Sequence, residues 1–299
     1  MPDFDWPALF AAPPVADFPA WFDRIAAHLL NRARLVVGGK AHRLMEVEVY
    51  YHSPEYSDPF AHRDPSQLHL GRWYFHRTGG TYRGGSFKGL DLAFGGNAAH
   101  AGVLIRGVET PDGTLVDGPS KTVDHLLSEL NCPTVATLDT ACGTNPVWQH
   151  GALLGLTTAE DLNRPVFACA RVGLSLKKRK HQPDDPAFRF LFRRHRYLTE
   201  PTRTAKGKAL MALALLTDGK FPADVATATG SPLSAVKRYA AEFAAGATET
   251  DASGYYGKGW TTADLCRLHG LWTARFAVGG ARRAVNPLPA SRRTNRGTT

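Results

Sequence analysis

The spacing of apolar residues changes early in the chain. Between residues 18 and 31, large apolar side chains recur at intervals of three and four, which predicts an amphipathic helix. Residues 34–37 and 43–50 instead alternate or run apolar, as the residues of β-strands do. We therefore expect a helix that leads into strands.

Short strand-like runs and glycine-rich stretches continue along the next part of the chain. The predicted strands cover residues 72–76, 90–94, 102–108, 166–172 and 188–197, the last from the alternating apolar and basic residues of FRFLFRRHRY. A helix is predicted over 122–130, after Gly118-Pro119-Ser120-Lys121. This mixture predicts an α+β fold, with a curved antiparallel sheet and helices around it.

The composition changes at Pro201-Thr202. Alanine and leucine dominate beyond it, and helices are predicted over 204–218, 221–229 and 232–245. The turn Gly230-Ser231-Pro232, followed by outward-facing Lys237 and Arg238, is typical of a helix-turn-helix. We expect a loosely ordered N-terminus (1–17), a sheet-containing domain (18–200), a helix-turn-helix-like module (201–279) and a disordered basic tail (280–299).

Charge and cysteine content narrow the class of protein. Lysine and arginine outnumber aspartate and glutamate by 36 to 27, an excess that suits a polyanionic partner. The four cysteines form no Cys-x-x-Cys pair, so we expect neither a metal site nor a cofactor. No run of 18 apolar residues and no secretory signal occur. The sequence predicts a cytoplasmic protein without a membrane partner.

The densest cluster of reactive residues lies in the strand predicted over 43–50. Strand alternation places Glu46, Glu48 and Tyr50 on one face, and Ala61-His62 follows downstream. Two acids and a tyrosine suit a site in which a carboxylate activates water beside an aromatic platform. The same pattern also fits a solvated strand face with incidental charges.

Several segments resemble the alkyladenine (methylpurine) DNA glycosylase family in the family's own order, over about residues 18–198. They are PAWFDRIAAHLLNRARLVV, HRLMEVEVYYHSPEYSDPFAHR, GRWYFH, AGVLIRGVE, DGPSK, ACARVGLSL and FRFLFRRHRYL. The resemblance implies a DNA N-glycosylase, a hydrolase that flips a base out of the duplex and cleaves its bond to the sugar. No lysine stands at the position of the general base, which implies a monofunctional enzyme that leaves an abasic site.

The resemblance assigns roles residue by residue. Glu48 matches the general base that deprotonates the attacking water, and Arg106 matches the arginine that holds the carboxylate, the water and a phosphate. Tyr50 matches a tyrosine that stacks on the flipped base, and His62 matches a histidine that packs on the base. Without the resemblance, each residue has a structural interpretation. Arg106 would be an ion-pair partner of Glu46, Tyr50 would be an aromatic residue of the sheet, and His62 would be an ordinary hydrogen-bonded histidine.

Two pocket positions and one hairpin depart from the family pattern. His76 replaces a second sandwiching tyrosine, and Gly95 replaces an asparagine, a loss of side chain that we expect to widen the pocket. The hairpin over 77–88 is long and rich in glycine. We expect Tyr82 or Phe87 to serve as the DNA wedge, with Arg83 and Lys88 on phosphates. Alternatively, this segment is only a flexible hairpin.

Double-stranded DNA is the partner that we expect. Amides at Gly118, Ser120 and Lys121 can cradle a phosphate at a helix N-terminus. Further expected phosphate contacts are Lys177, Lys178, Arg179, Lys180, Arg193, Arg194, Arg196, Lys237 and Arg238. We expect a monomer associated with the nucleoid.

Three hypotheses of function remain open. The first is a glycosylase for a bulky hypermodified base, such as the glucosylated hydroxymethylcytosine of phage DNA, acting in antiviral defence. The second is an alkylpurine repair glycosylase that acts on DNA damage. The third is a helix-turn-helix DNA-binding protein with an inactive glycosylase-like scaffold. Both enzymatic hypotheses require Glu48 to face a basic groove. A Glu48 side chain packed in the interior, or pointing away from such a groove, would remove the basis of both and leave a basic α+β protein of unassigned function.

Overall fold

The computed structural model describes residues 4–12 and 17–276. Its strands are β1 (Ala33–Val37), β2 (Lys40–His52), β3 (Arg72–Phe75), β4 (Arg77–Thr78), β5 (Thr81–Tyr82), β6 (Leu90–Ala93), β7 (His100–Glu109), β8 (Leu115–Asp117), β9 (Leu154–Thr158), β10 (Phe167–Cys169) and β11 (Arg196–Leu198). Its helices are α1 (Trp6–Phe10), α2 (Phe18–Arg32), α3 (Pro119–Glu129), α4 (Val135–Cys142), α5 (Pro186–Phe190), α6 (Lys208–Thr217), α7 (Pro222–Thr229), α8 (Leu233–Gly246) and α9 (Thr262–Phe276). Within these ranges, no helix is both long and apolar enough to cross a membrane.

One large antiparallel sheet organises the fold. Its main path is β10-β11-β2-β7-β6-β3, while β1 pairs with β2 and β9, and β8 pairs with β7. The register between β2 and β7 shifts on both sides of Glu46, an irregularity of the kind that bends a strand and redirects its side chains. The predicted α+β class, with an antiparallel sheet and surrounding helices, is confirmed.

The two faces of the central strands differ in chemistry. Val47, Val49 and Tyr51 point to one face and are buried in a core that includes Phe22 and Ile25 of α2. Glu46, Glu48 and Tyr50 point to the other face, because successive side chains of a strand alternate. Helix α2 thus covers the apolar face, and the polar face carries the residues that the sequence singles out.

The prediction of a strand over residues 188–197 is wrong for most of that segment. The segment forms helix α5 and an irregular turn, and only Arg196–Leu198 is a strand. Asp185 accepts a hydrogen bond from the Ala187 N–H, and Pro186 occupies the first helical turn. These two start signals outweigh the alternation of apolar and basic residues. The strand predicted over 166–172 is likewise limited to Phe167–Cys169.

Part of the N-terminal segment is helical, although its proline and alanine content predicts a loosely ordered chain. Residues Trp6–Phe10 form helix α1, and both Trp6 and Phe10 are buried. Their rings stack on Trp148, with centroid distances of 5.9 Å and 6.3 Å. Burial of two large aromatic side chains stabilises this helix despite its short length.

The C-terminal helices pack directly on the sheet. Helices α6, α7 and α8 occupy the predicted positions, whereas α9 was not predicted. Cys169 of β10 and Leu198 of β11 share a buried cluster with Met211 and Val236. The compositional boundary near residue 201 is therefore crossed by buried contacts. The expected basic tail lies outside the described residues.

Candidate active site

Glu48 lies at the centre of the polar sheet face. Its Oε1 accepts a hydrogen bond of 2.7 Å from the Val172 N–H, and its Oε2 accepts one of 2.9 Å from the Tyr50 hydroxyl. The Nε of Arg106 is 3.4 Å from Oε1. The Glu48 side chain is 0% exposed. Contrary to the sequence expectation, the carboxylate does not line an open groove, because Tyr50 and the segment at Val172 lie against both of its oxygens.

Glu46 holds the stronger charge contacts. Its Oε1 accepts hydrogen bonds from Arg106 Nε at 2.5 Å and from Arg196 Nε at 2.7 Å. Burial raises the pKa of Glu46, but the two guanidinium groups outweigh burial and hold this pKa below its usual value. The ion pair between Arg106 and Glu46, one of the two interpretations of Arg106, is confirmed. Arg196 is buried and is therefore not an available phosphate contact, contrary to prediction.

Tyr50 has a cation beneath its ring. The guanidinium carbon of Arg171 is 4.4 Å from the centroid of the Tyr50 ring. Arg171 itself is held by Asp58, with contacts of 2.5 Å and 3.3 Å. Burial and the Glu48 carboxylate raise the pKa of Tyr50 well above its usual value, so the hydroxyl stays protonated as the donor to Glu48. Tyr50 is partly exposed, so its uncovered surface is available for stacking.

The two candidate base-binding histidines lie next to each other. The rings of His62 and His76 are 4.3 Å apart, and His62 Nδ1 is 3.2 Å from the Tyr74 hydroxyl. His76 Nε2 contacts Asp91 at 2.7 Å, and Gln67 donates to the other oxygen of Asp91. Burial, reinforced by His76, lowers the pKa of His62 to about 4, so His62 is neutral at pH 7.

The sheet register gives the spacing between Glu48 with Tyr50 and the pair of histidines, His62 and His76. Glu48 is paired with Leu104 of β7, and Leu104 is paired with Asp91 of β6. Two strand spacings separate Glu48 from Asp91, roughly 10 Å between backbones. Gly102, the partner of Tyr50, leaves room between them, because a Cβ there would lie 2.6 Å from Asp91 Oδ2. The structure therefore brings Glu48, Tyr50, His62 and His76 to one sheet face.

Comparison with known proteins shows that this chain is similar to a viral protein. No protein-family model matches it. The chain is 30% identical over 173 residues to "Uncharacterized protein L759" of Acanthamoeba polyphaga mimivirus, a match that covers 52% of this chain and 80% of the viral protein. The chain belongs to the same family as this viral protein. The viral protein's name states no activity, so the function of this family member has to be argued from its site.

The structure explains the glycine at position 95 differently from the sequence prediction. A Cβ at this position would lie 2.1 Å from the carbonyl oxygen of Gln67 and 2.2 Å from that of Ala99. The backbone therefore approaches Gly95 where a side chain would stand. The expectation that the missing side chain widens a pocket is wrong for this reason.

The two wedge candidates differ in exposure. Phe87 is 74% exposed, on a short 3-10 turn (Gly85–Phe87). Tyr82 instead donates a hydrogen bond of 2.5 Å to Asp139 of α4 and lies 4.6 Å from the guanidinium carbon of Arg77. Tyr82 is thus held against the body of the protein, and Phe87 is the better candidate for insertion into DNA.

Two predicted phosphate contacts hold the turn that carries Phe87. The carbonyl of Gly85 accepts hydrogen bonds of 2.7 Å from Lys88 Nζ and 2.8 Å from Ser120 Oγ. Lys88 also pairs with Asp124 of α3 at 2.9 Å. The Lys88 side chain therefore has partners within the protein, which argues against a primary role in phosphate binding. The predicted contact of Ser120 is its backbone amide, which the hydroxyl bond leaves untested.

The remaining predicted DNA contacts differ in availability. Lys121, Lys177, Lys178, Lys180, Lys237 and Arg238 are exposed. Arg83 is partly exposed, and its Nε donates to Thr78. Gly118 is buried and caps α3, with its N–H bonded to the Arg106 carbonyl. Arg179 lies 3.7 Å from Asp185, Arg193 donates to Tyr56, and Arg194 pairs with Asp218. The exposed lysines remain the best candidates.

Sequence reasoning missed the residues that surround Glu48 and His76. Arg171 and Val172 lie within ACARVGLSL, Asp58 lies four residues before His62, and Asp91 lies in a short strand. A charged residue within an apolar run is a usable signal, because a buried charge needs a partner. Which residue is the partner of such a buried charge cannot be predicted from the neighbouring sequence, because the partner lies far away along the chain.

Proposed function

We propose that the protein is a monofunctional DNA glycosylase that flips a modified base out of duplex DNA and hydrolyses its N-glycosidic bond. The observation that supports this proposal most is the placement of Glu48. Its carboxylate lies 3.4 Å from Arg106 and next to the partly exposed Tyr50, on a face that also holds His62 and His76. This combination of an acid, a stacking ring and polar imidazoles suits excision of an everted base.

In the proposed reaction, Glu48 takes a proton from water while the water oxygen bonds to the anomeric carbon of the sugar. The bond between that carbon and the base nitrogen breaks, the base leaves with the electron pair, and its nitrogen takes up a proton from solvent. Glu48 then releases the proton that it took from the water. The positive charge that develops on the sugar is stabilised by the nearby carboxylate. The products are a free base and an abasic site.

The proposal requires that DNA binding uncover Glu48. The Val172 N–H comes from an irregular segment between β10 and α5, and the next residue, Gly173, is exposed with a φ of 87°. The Tyr50 hydroxyl and the Val172 N–H are neutral donors to a carboxylate, and such a bond is worth about 1.5–3 kcal/mol, a cost that a replacing water molecule partly recovers. Displacement of one donor would leave a carboxylate oxygen for the attacking water.

A DNA-binding protein with an inactive glycosylase-like scaffold is the second candidate. The full burial of Glu48 favours it, because both carboxylate oxygens already have donors. Exposed Lys237 and Arg238 at the start of α8 would then contact DNA. This candidate predicts DNA binding without base release.

The decisive experiment measures bases released from a panel of modified DNAs by mass spectrometry, with wild-type protein and with Glu48→Gln. We expect release of at least one base by the wild type and a loss of about 10²–10⁴-fold in Glu48→Gln, the usual contribution of a general base. DNA binding, followed by fluorescence anisotropy, should be retained. Equal release by both proteins would remove Glu48 from the mechanism, and no release from any DNA would favour the inactive scaffold.

The panel also separates two substrate classes. We propose a bulky hydroxylated base as the substrate, because His76, held by Asp91, offers a hydrogen-bonding imidazole where the glycosylase family that the sequence resembles has a phenol. The neutral His62 lies beside it and offers a second such group. Release from phage DNA with glucosylated cytosines, and none from unmodified DNA, would support this class and a role in antiviral defence. Rapid release of 3-methyladenine or hypoxanthine, without release from phage DNA, would establish alkylpurine repair instead.

A further inference from the structure

Asp58 and Arg171 form an ion pair with no exposed surface. Both side chains are 0% exposed, and the two guanidinium contacts to the carboxylate are 2.5 Å and 3.3 Å. Arg171 Nη1 also donates to the carbonyl of Val49 at 3.2 Å, whereas Arg171 Nε finds no acceptor among the described residues. Desolvation of two charges offsets most of their attraction, so such a pair contributes little net stability. The presence of this ion pair therefore calls for an explanation other than stability.

Arg171 contacts the proposed site in two ways. Its buried guanidinium lies 4.4 Å from the centroid of the Tyr50 ring. The next residue, Val172, donates its N–H to Glu48 at 2.7 Å. A shift of Arg171 therefore moves both the support of the stacking ring and a donor to the carboxylate.

Asp58 connects Arg171 to the loop that carries His62, on the proposed base-binding side of the site. It lies four residues before His62, and its Oδ1 accepts a hydrogen bond of 3.0 Å from the Phe60 N–H. The Phe60 ring in turn lies 5.7 Å from the Arg171 guanidinium. The same carboxylate thus holds Arg171 and the loop that leads to His62.

We infer that Asp58 and Arg171 are positioning residues, which set the geometry of Tyr50 and Glu48 without contacting the reacting atoms. This inference rests on the proposed glycosylase function for its kinetic consequence. Its structural consequence, the placement of the Val172 N–H on Glu48, is measurable without a substrate. Loss of the pair should lower kcat while KM for DNA changes little, because the exposed lysines that bind phosphates are untouched.

The test compares Arg171→Gln, Arg171→Lys and Asp58→Asn with the matched control Arg43→Lys. Arg43 is also a buried arginine on an ion pair, with Glu109 at 3.1 Å and Glu200 at 2.7 Å, and it contacts neither Tyr50 nor Glu48. Misplacement of a reacting group by about 1 Å costs about 10²-fold in rate, so a fall of that order in kcat is expected for Arg171→Gln. Arg171→Lys should recover part of the loss, and the control should lose stability at unchanged kcat.

Amide exchange at Val172, measured by NMR, provides the readout that does not depend on activity. In the wild type this N–H is bonded to a buried carboxylate, so exchange should be slow. We expect exchange to be at least about tenfold faster in Arg171→Gln and Asp58→Asn and unchanged in Arg43→Lys. Unchanged Val172 exchange and kcat in both folded variants would overturn the inference while leaving the glycosylase proposal intact. If the wild type releases no base, the glycosylase proposal fails, and Val172 exchange alone decides whether the pair positions Glu48.

Discussion

Glu46 and Glu48 are the same residue type, two positions apart on one strand and one face, yet they have different surroundings. Glu46 is shared by Arg106 and Arg196, at 2.5 Å and 2.7 Å. Glu48 accepts from two neutral donors, Val172 N–H and Tyr50 hydroxyl, and Arg106 is farther away at 3.4 Å. A carboxylate fixed by two cations is structural, whereas one held by neutral donors can exchange a donor for water.

The largest difference should appear in stability when each acid is made neutral. Glu46→Gln leaves the buried Arg196 without its carboxylate partner and leaves Arg106 with only the 3.4 Å contact to Glu48, and such losses cost about 3–5 kcal/mol. Glu48→Gln keeps an acceptor for Val172 and loses the 3.4 Å contact with Arg106, which still has Glu46, so we expect a smaller change of about 1.5–3 kcal/mol. Urea unfolding followed by circular dichroism measures both. A Glu48 variant as unstable as the Glu46 variant would show that both acids are structural.

A smaller effect is expected from Tyr50→Phe. The substitution keeps the ring over Arg171 and removes the donor to Glu48 Oε2, a buried hydrogen bond whose loss costs about 1–3 kcal/mol of stability. If this donor must be displaced before water can attack, base release should be retained or faster. A loss of activity as large as that of Glu48→Gln would instead assign the hydroxyl a direct role in the reaction.

The smallest effects concern pH. The pKa of Glu46 is lowered in the folded state, so its contribution is complete above its ordinary value of 4.5 and is lost as the pH falls through the folded value. The pKa of His62 is lowered from 6.5 to about 4, so the unfolded chain gains a proton first and stability declines as the pH falls from 6.5 towards 4. Unfolding curves at about pH 7.5, 5.5, 4 and 3 should show that His62→Gln removes part of the loss between pH 6.5 and about 4. Glu46→Gln should change only the loss at lower pH.

Elements with strong local signals were predicted well, and the exceptions have physical causes. The spacing of apolar residues located α2, β2, β7 and the helices α6 to α8 to within a few residues. The alternation in FRFLFRRHRY predicted a strand, but the Asp185-Pro186 start signal places its first three residues in a helix that ends at Phe190. Composition predicted a loose N-terminus over residues 1–17, but burial of Trp6 and Phe10 against Trp148 makes residues 6–10 a helix.

The sequence alone placed Glu46, Glu48 and Tyr50 on one face of a strand, because side-chain alternation is a local property of an extended backbone. It left undetermined which acid would be neutralised by arginines. Arg106 and Arg196 are 60 and 150 positions from Glu46, and Val172 is 124 positions from Glu48. Only the pairing of distant strands brought these donors to the two carboxylates, and the distances they adopted made one acid structural and the other a candidate for catalysis.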